Sequence, residues 1–193
     1  MFDYSKYDVL AIGLPKSGTN MTEKICRLLG VTPSPHMHTA NYLLAEKHKV
    51  AYVYRNPRNV LISAQRYQNH QMRGWENTIT EEKLIAQFFD YYNSSMPAVY
   101  NSYSKWLLTS AYCFKYEDML TDISVAQGLY RYLGKTDTVN MPKQEFLASI
   151  PGNTPTWTGK PSDWRAYWTD GLDKIWVGEG MVEIERGLGY CND

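Results

Sequence analysis

Three short hydrophobic runs stand out along the chain: Asp8–Leu14 (DVLAIGL), Lys49–Tyr54 (KVAYVY) and Ala111–Tyr116 (AYCFKY). Nearly continuous apolar runs of this length predict strands buried on both faces, as in a parallel sheet. Amphipathic stretches lie between them. Thr19–Leu29 predicts a helix closed by Gly30 at its C′ position, where a left-handed residue ends a helix. Pro57 fits the first position of a helix running to about Asn69. Thr80 fits the N-cap of a long helical region, with Glu82 and Lys83 in its first turn and an interruption at Pro97. Asp122–Leu133 predicts a helix ended by Gly134, and Asp170–Leu188 a helical tail broken at its glycines. Pro151–Ser162, rich in Pro, Gly and Thr, predicts a loop.

Strands alternating with helices imply βαβ units with right-handed crossovers. The fold class expected is therefore α/β: a P-loop-type parallel sheet flanked by helices, with residues 1–193 forming a single domain. In such sheets ligands bind beyond the carboxyl ends of the strands. The motifs described below all fall there.

Composition narrows the function classes. The 193 residues are 44% hydrophobic and 21% charged, ordinary for a globular protein. Lys plus Arg equals Asp plus Glu at 20 each, so net charge offers no support for wholesale nucleic-acid binding. The balance is uneven, however: Lys47–Arg73 contains basic residues and no acidic one, while the chain after Asp170 is mostly acidic. A basic stretch in a neutral protein suits a small anion, although a solvated basic face gives the same pattern. Three widely spaced cysteines (Cys26, Cys113, Cys191) fit neither a disulfide framework nor a zinc site. No apolar run approaches a membrane span and the N-terminal segment lacks a signal-peptide pattern, so a cytoplasmic setting without membrane association is expected.

The most informative segment is Gly13-Leu-Pro-Lys-Ser-Gly-Thr-Asn20, between a strand and a helix. Glycines let the backbone approach an anion, and a helix N-terminus offers unpaired N–H groups at a positive dipole end. The G-x4-G frame is that of a Walker A loop, but Thr19 stands where a nucleotide triphosphatase needs lysine. The lysine lies inside the loop, at Lys16. A terminal phosphoryl group calls for lysine plus magnesium. A sulfuryl group carries less charge, so one lysine on the bridging oxygen is physically sufficient without a metal. The loop alone specifies an anion, not which one, and a tight turn with a surface lysine is the competing interpretation.

A second anion site is suggested by Tyr52-Val-Tyr-Arg-Asn-Pro-Arg-Asn-Val-Leu-Ile-Ser63, where Arg55 ends a strand and Ser63 lies two turns into the next helix. Arginine offers a rigid donor fork suited to phosphate, and serine a further hydroxyl. The pair of segments, PKSGT and YVYRNPRNVLIS, resembles the cytosolic sulfotransferase family, which uses 3'-phosphoadenosine-5'-phosphosulfate (PAPS). Lys115-Tyr-Glu-Asp-Met119 is similar to that family's YEDM element. Gly159-Lys-Pro-Ser-Asp-Trp164 is similar to the loop over the 3'-phosphate, and Gly187-Leu-Gly-Tyr190 to the C-terminal end.

The resemblance implies metal-independent, in-line transfer of a sulfuryl group from PAPS to a hydroxyl or amine acceptor. It implies Lys16 on the bridging and sulfuryl oxygens, and Ser17, Gly18, Thr19 and Asn20 along the 5'-phosphate. Arg55 and Ser63 take the 3'-phosphate, with Gly159 and Lys160 in the loop above it, and Tyr116 lies by the base. His38, in His36-Met-His-Thr-Ala-Asn-Tyr-Leu-Leu44, aligns with the catalytic histidine; His36 and Glu46 are the other candidates for the base.

The chain also departs from the family pattern. Met21 stands where an adenine-stacking tryptophan is usual, and Trp157-Thr-Gly159 replaces Arg-Lys-Gly, which implies weaker 3'-phosphate binding. Arg165 and Thr169 fit the family's dimer motif, whereas Asp170 and Lys174 do not, leaving the oligomeric state open. The short connection from Lys16 to His38 implies an open acceptor site. The aromatics Trp75, Phe88, Phe89, Tyr91 and Tyr92 fit a core better than an acceptor groove. Two other functions stay in view: a P-loop kinase or nucleotide phosphotransferase, predicting dependence on ATP and magnesium, and a non-catalytic nucleotide-binding module.

Overall fold

The computed structural model describes residues 3–71, 78–135 and 163–190. The predicted loop Pro151–Ser162 lies outside the described residues, and with it Trp157, Gly159 and Lys160; so does Trp75. The chain divides into two compact units, Met1–Arg55 with Lys105–Asn153, and Asn56–Ser104 with Thr154–Asp193.

In the first unit, β1 (Leu10–Gly13), β2 (Val50–Tyr54) and β3 (Tyr112–Lys115) form a parallel sheet in the order β1-β2-β3. The register aligns Ala11 with Ala51 and Tyr112, and Gly13 with Val53 and Phe114. Side chains alternate across the sheet, so Ala51, Val53 and Phe114 share one face. They pack with Met21, Ile25 and Cys26 of α1 (Thr19–Leu28) and with Ala126 and Leu129 of α7 (Ile123–Tyr132). On the other face Tyr52 stacks on the buried Trp106, whose ring meets Tyr42 edge-on. Burial of β1 and β2 on both faces explains why their sequences read as apolar runs rather than as alternations.

The short α2 (Leu44–Lys47) leads into β2, and α6 (Tyr116–Thr121) follows β3 without a break. The predicted helix stops are present: Gly30 and Gly134 adopt the left-handed conformation just past α1 and α7. The Asp122 carboxylate accepts the Ser124 N–H at 2.8 Å and so caps α7.

A further segment, not expected from the sequence, runs beside β1. Val9 pairs with Pro33 and Ile12 with Met37, both in parallel. The Ser34 and Met37 N–H groups donate to the Val9 and Ala11 carbonyls, each at 2.9 Å. Pro33 and Pro35 have no N–H to give, but the donors needed fall on their neighbours. Prolines are tolerated at a sheet edge for that reason.

In the second unit α3 (Pro57–Gln71) packs on α4 (Glu81–Phe89), and α4 on α8 (Asp170–Gly178). Helix α9 (Met181–Gly187) contacts α8 and α5 (Met96–Tyr103). Thr80 caps α4 as expected, its hydroxyl accepting the Lys83 N–H. The interruption expected at Pro97 lies earlier. Tyr92 and Asn93 take left-handed backbone conformations after α4, and Pro97 sits in the first turn of α5, where its missing N–H costs nothing. The tail breaks at Gly180 (φ 74°), as its glycines suggested. Phe88 and Tyr91 belong to the core, while Phe89 and Tyr92 are exposed. No helix among the described residues is long and apolar enough to cross a membrane.

Candidate active site

The carboxyl ends of the three parallel strands carry the candidate residues of the first unit. β1 runs into the loop containing Lys16, β2 ends at Tyr54 beside Arg55, and β3 ends at Lys115 beside Tyr116. The edge segment 33–37 is parallel to β1 and delivers His38 to the same end.

The loop is held from within. The Ser17 hydroxyl donates to the Leu14 carbonyl at 2.7 Å and to the Val53 carbonyl at 3.1 Å, and the Ser17 N–H donates to Leu14 as well. Ser17 therefore ties the loop to β2, with its hydroxyl proton committed to these carbonyls. Gly13 is required by close approach: a Cβ there would crowd Ser17 Oγ at 2.6 Å and the Val53 carbonyl at 2.7 Å. Lys16 itself adopts φ 66°, a left-handed conformation unusual for a non-glycine residue.

Gly18 opens α1 at φ 113°. Among the described residues no side chain caps the helix, and its first turn has no acidic residue, so the backbone donors of Thr19 and Asn20 belong to an N-terminus that an anion can cap. Gly18 is also pressed against the Tyr116 ring, which any Cβ at this position would strike. The Arg55 guanidinium lies over the Tyr116 ring, 4.3 Å from its centroid. Tyr116 is thus largely enclosed and backs both the loop glycine and Arg55.

Arg55 is only 4% exposed. Its Nη1 donates to the Lys16 carbonyl at 3.3 Å, while its buried Nε has no hydrogen-bond partner among the described residues. A buried guanidinium N–H without an acceptor is costly, and it is the kind of donor a bound phosphate satisfies. Lys16 senses the same environment. Burial first, and the charge of Arg55 second, push its ammonium down to about 8. Two cations held close together at a helix start attract an anion by elementary electrostatics.

His38 is an exposed residue whose ring is partly covered, and its Nδ1 lies 2.7 Å from the Gly13 carbonyl. A carbonyl only accepts, so Nδ1 carries the proton and the neutral ring leaves Nε2 free to take one. Burial lowers the His38 pKa from its ordinary value, and the nearby His36 and Lys16 charges act in the same direction against the donation to Gly13. The Trp106 Nε1–H donates to the Thr39 carbonyl at 2.9 Å and anchors the chain just beyond His38. His36 is also exposed and pairs with Glu23. Glu46 lies in α2, with its side chain toward solvent. Ser63 is in α3 of the second unit, partly buried.

Of the predicted site residues, the first unit therefore brings together Lys16, Ser17, Gly18, Thr19, Asn20, Arg55, Tyr116 and His38. Sequence reasoning missed the committed Ser17 hydroxyl, the packing of Gly18 on Tyr116, and Trp106. Lone hydroxyls and aromatics have no motif that reveals such partners.

Residues 31–150 match a family model described as the sulfotransferase domain. No curated protein matches the chain. Among solved structures, mouse sulfotransferase SULT7A1 complexed with PAP is similar in fold, with a TM-score of 0.70 at 16% sequence identity. That match covers 96% of this chain and 86% of the mouse chain.

Proposed function

This chain belongs to the sulfotransferase domain family, and we propose on that premise that it transfers a sulfuryl group from PAPS to a hydroxyl or amine acceptor. The observation that carries this assignment is the pair of cations, Lys16 and Arg55, at the start of α1, where among the described residues no side chain caps the helix and a buried Arg55 donor has no acceptor. A doubly phosphorylated adenosine has an anionic group for each, and the mouse structure complexed with PAP supports that choice of ligand.

When bound, PAPS supplies an activated sulfuryl group on a phosphate leaving group. Lys16 neutralises the charge that develops on the bridging oxygen, and the backbone donors at Gly18, Thr19 and Asn20 hold the 5'-phosphate. Arg55, backed by Tyr116, holds the 3'-phosphate, and Tyr116 lies by the edge of the base. His38 accepts the acceptor's proton at Nε2, since Nδ1 is committed to Gly13. The whole chain acts as one catalytic domain in a cytoplasmic setting.

Calorimetry with 3',5'-phosphoadenosine and with ATP, each with and without magnesium, tests the assignment. Binding of the bisphosphate independent of magnesium is expected, with ATP weaker. Selective, metal-dependent ATP binding would overturn it in favour of a phosphotransferase.

A further inference from the structure

Beside His38 lies a second imidazole that the reaction does not need as a base. The His36 and His38 ring centroids are 5.5 Å apart, with the planes tilted by 52°. Glu23, on α1, holds His36 by two bonds to one oxygen: the His36 N–H donates to Oε1 at 2.6 Å, and ring Nδ1 lies 2.8 Å from it. The other carboxylate oxygen accepts from Arg27 Nη2 at 3.4 Å. The Glu23 side chain is mostly covered although His36 is 46% exposed, so the pair is not a loose surface contact. The helix that begins at the phosphate loop thereby fixes the ring next to the base.

We infer that Glu23 and His36 are positioning residues for His38: the carboxylate orients the His36 ring so that a proton on His36 opposes a proton on His38. The inference rests on His38 being the base. The groups facing His38 among the described residues are the Gly13 carbonyl from β1, Lys16 from the loop and His36 from its own segment. Glu23 reaches it through His36, with Arg27 behind Glu23. Lys16 and His36 both disfavour the imidazolium, but only His36 can be replaced without disturbing the phosphate loop.

The test is an NMR titration of the His38 ring in the full chain, read beside the pH dependence of kcat. In His36→Ala the His38 midpoint should rise by about half a pH unit, the shift that one unit charge at this distance produces in a water-like medium. Transfer at acidic pH should then fall about threefold relative to transfer at alkaline pH. Glu23→Ala should move the midpoint in the same direction by releasing the ring, and His36→Lys should restore the low midpoint. An unmoved His38 midpoint in His36→Ala, or a loss of activity equal at every pH, would overturn the inference. The base assignment fails by a different result, undiminished transfer by His38→Gln, which leaves the titration of the His36 variants readable.

Discussion

In the roles proposed for them, base and cation on the leaving group, His38 and Lys16 place opposite demands on pH. His38 acts only without its second proton, and its pKa is lowered from 6.5, chiefly by burial. Lys16 acts only when protonated, and it loses its proton at about 8. In the free enzyme kcat/KM should therefore rise through a midpoint below that of ordinary histidine and fall through about pH 8. A profile flat across the alkaline range would remove Lys16 from its role. Substitution should separate the two cations. Lys16→Ala acts on the charge of the leaving group, so kcat should drop roughly 10²–10³-fold with little change in nucleotide affinity. Arg55→Ala should weaken 3',5'-phosphoadenosine binding by about 1.5–3 kcal/mol, as for a charged hydrogen bond, with a smaller effect on kcat. Single-turnover kinetics beside calorimetry reads both effects, and the reverse pattern would exchange the roles.

The strand-loop-helix around Gly18 makes a sharper demand than a motif alone conveys. Gly18 combines φ 113° with a Tyr116 ring where a side chain would be. Gly18→Ala should cost about 1–3 kcal/mol of stability from backbone strain, before any clash is added, and should abolish bisphosphate binding. Thermal unfolding and calorimetry on the same variant check both. The glycine, the strands and the helix starts were legible in the sequence because each leaves a local signal: an apolar run, a cap, a left-handed stop. The edge segment 33–37 left none, since Pro33 and Pro35 suppress the strand pattern while Ser34 and Met37 do the pairing. The break between α4 and α5 was misplaced at Pro97 for a related reason. Tyr92 and Asn93 make the turn with left-handed backbones that no glycine announces. His38 was found by its place in a motif, but the carbonyl that sets its tautomer belongs to Gly13, remote along the chain.

Long-range closure within the second unit depends on one buried cation. Arg58 Nε donates to both Glu185 oxygens, at 3.1 and 3.3 Å, and Nη1 reaches Asp173 at 3.3 Å. Its guanidinium also lies 4.3 Å from the Trp164 ring centroid and 4.6 Å from that of Trp168. Trp176 Nε1 completes the cluster by donating to Glu185 at 3.0 Å. Removing one partner strands a charge in the interior, so Glu185→Ala should lose about 3–5 kcal/mol in urea unfolding. The double variant Arg58→Met/Glu185→Leu should recover much of that loss, because an apolar pair of similar bulk needs no counter-charge. A Glu185→Ala protein as stable as the parent would show that the cluster is incidental. Nothing in the sequence near Arg58 points to Glu185, since the pairing depends on how distant helices pack.

The interleaving of the two units has a consequence for biosynthesis. β2 finds its neighbour β3 only after the intervening Asn56–Ser104 stretch has been made, and Arg58 meets Glu185 later still. On a ribosome adding about 5–20 residues per second, an apolar strand edge and an uncompensated guanidinium persist for several seconds. During that interval the nascent chain offers chaperones a pairing edge that the finished protein no longer exposes.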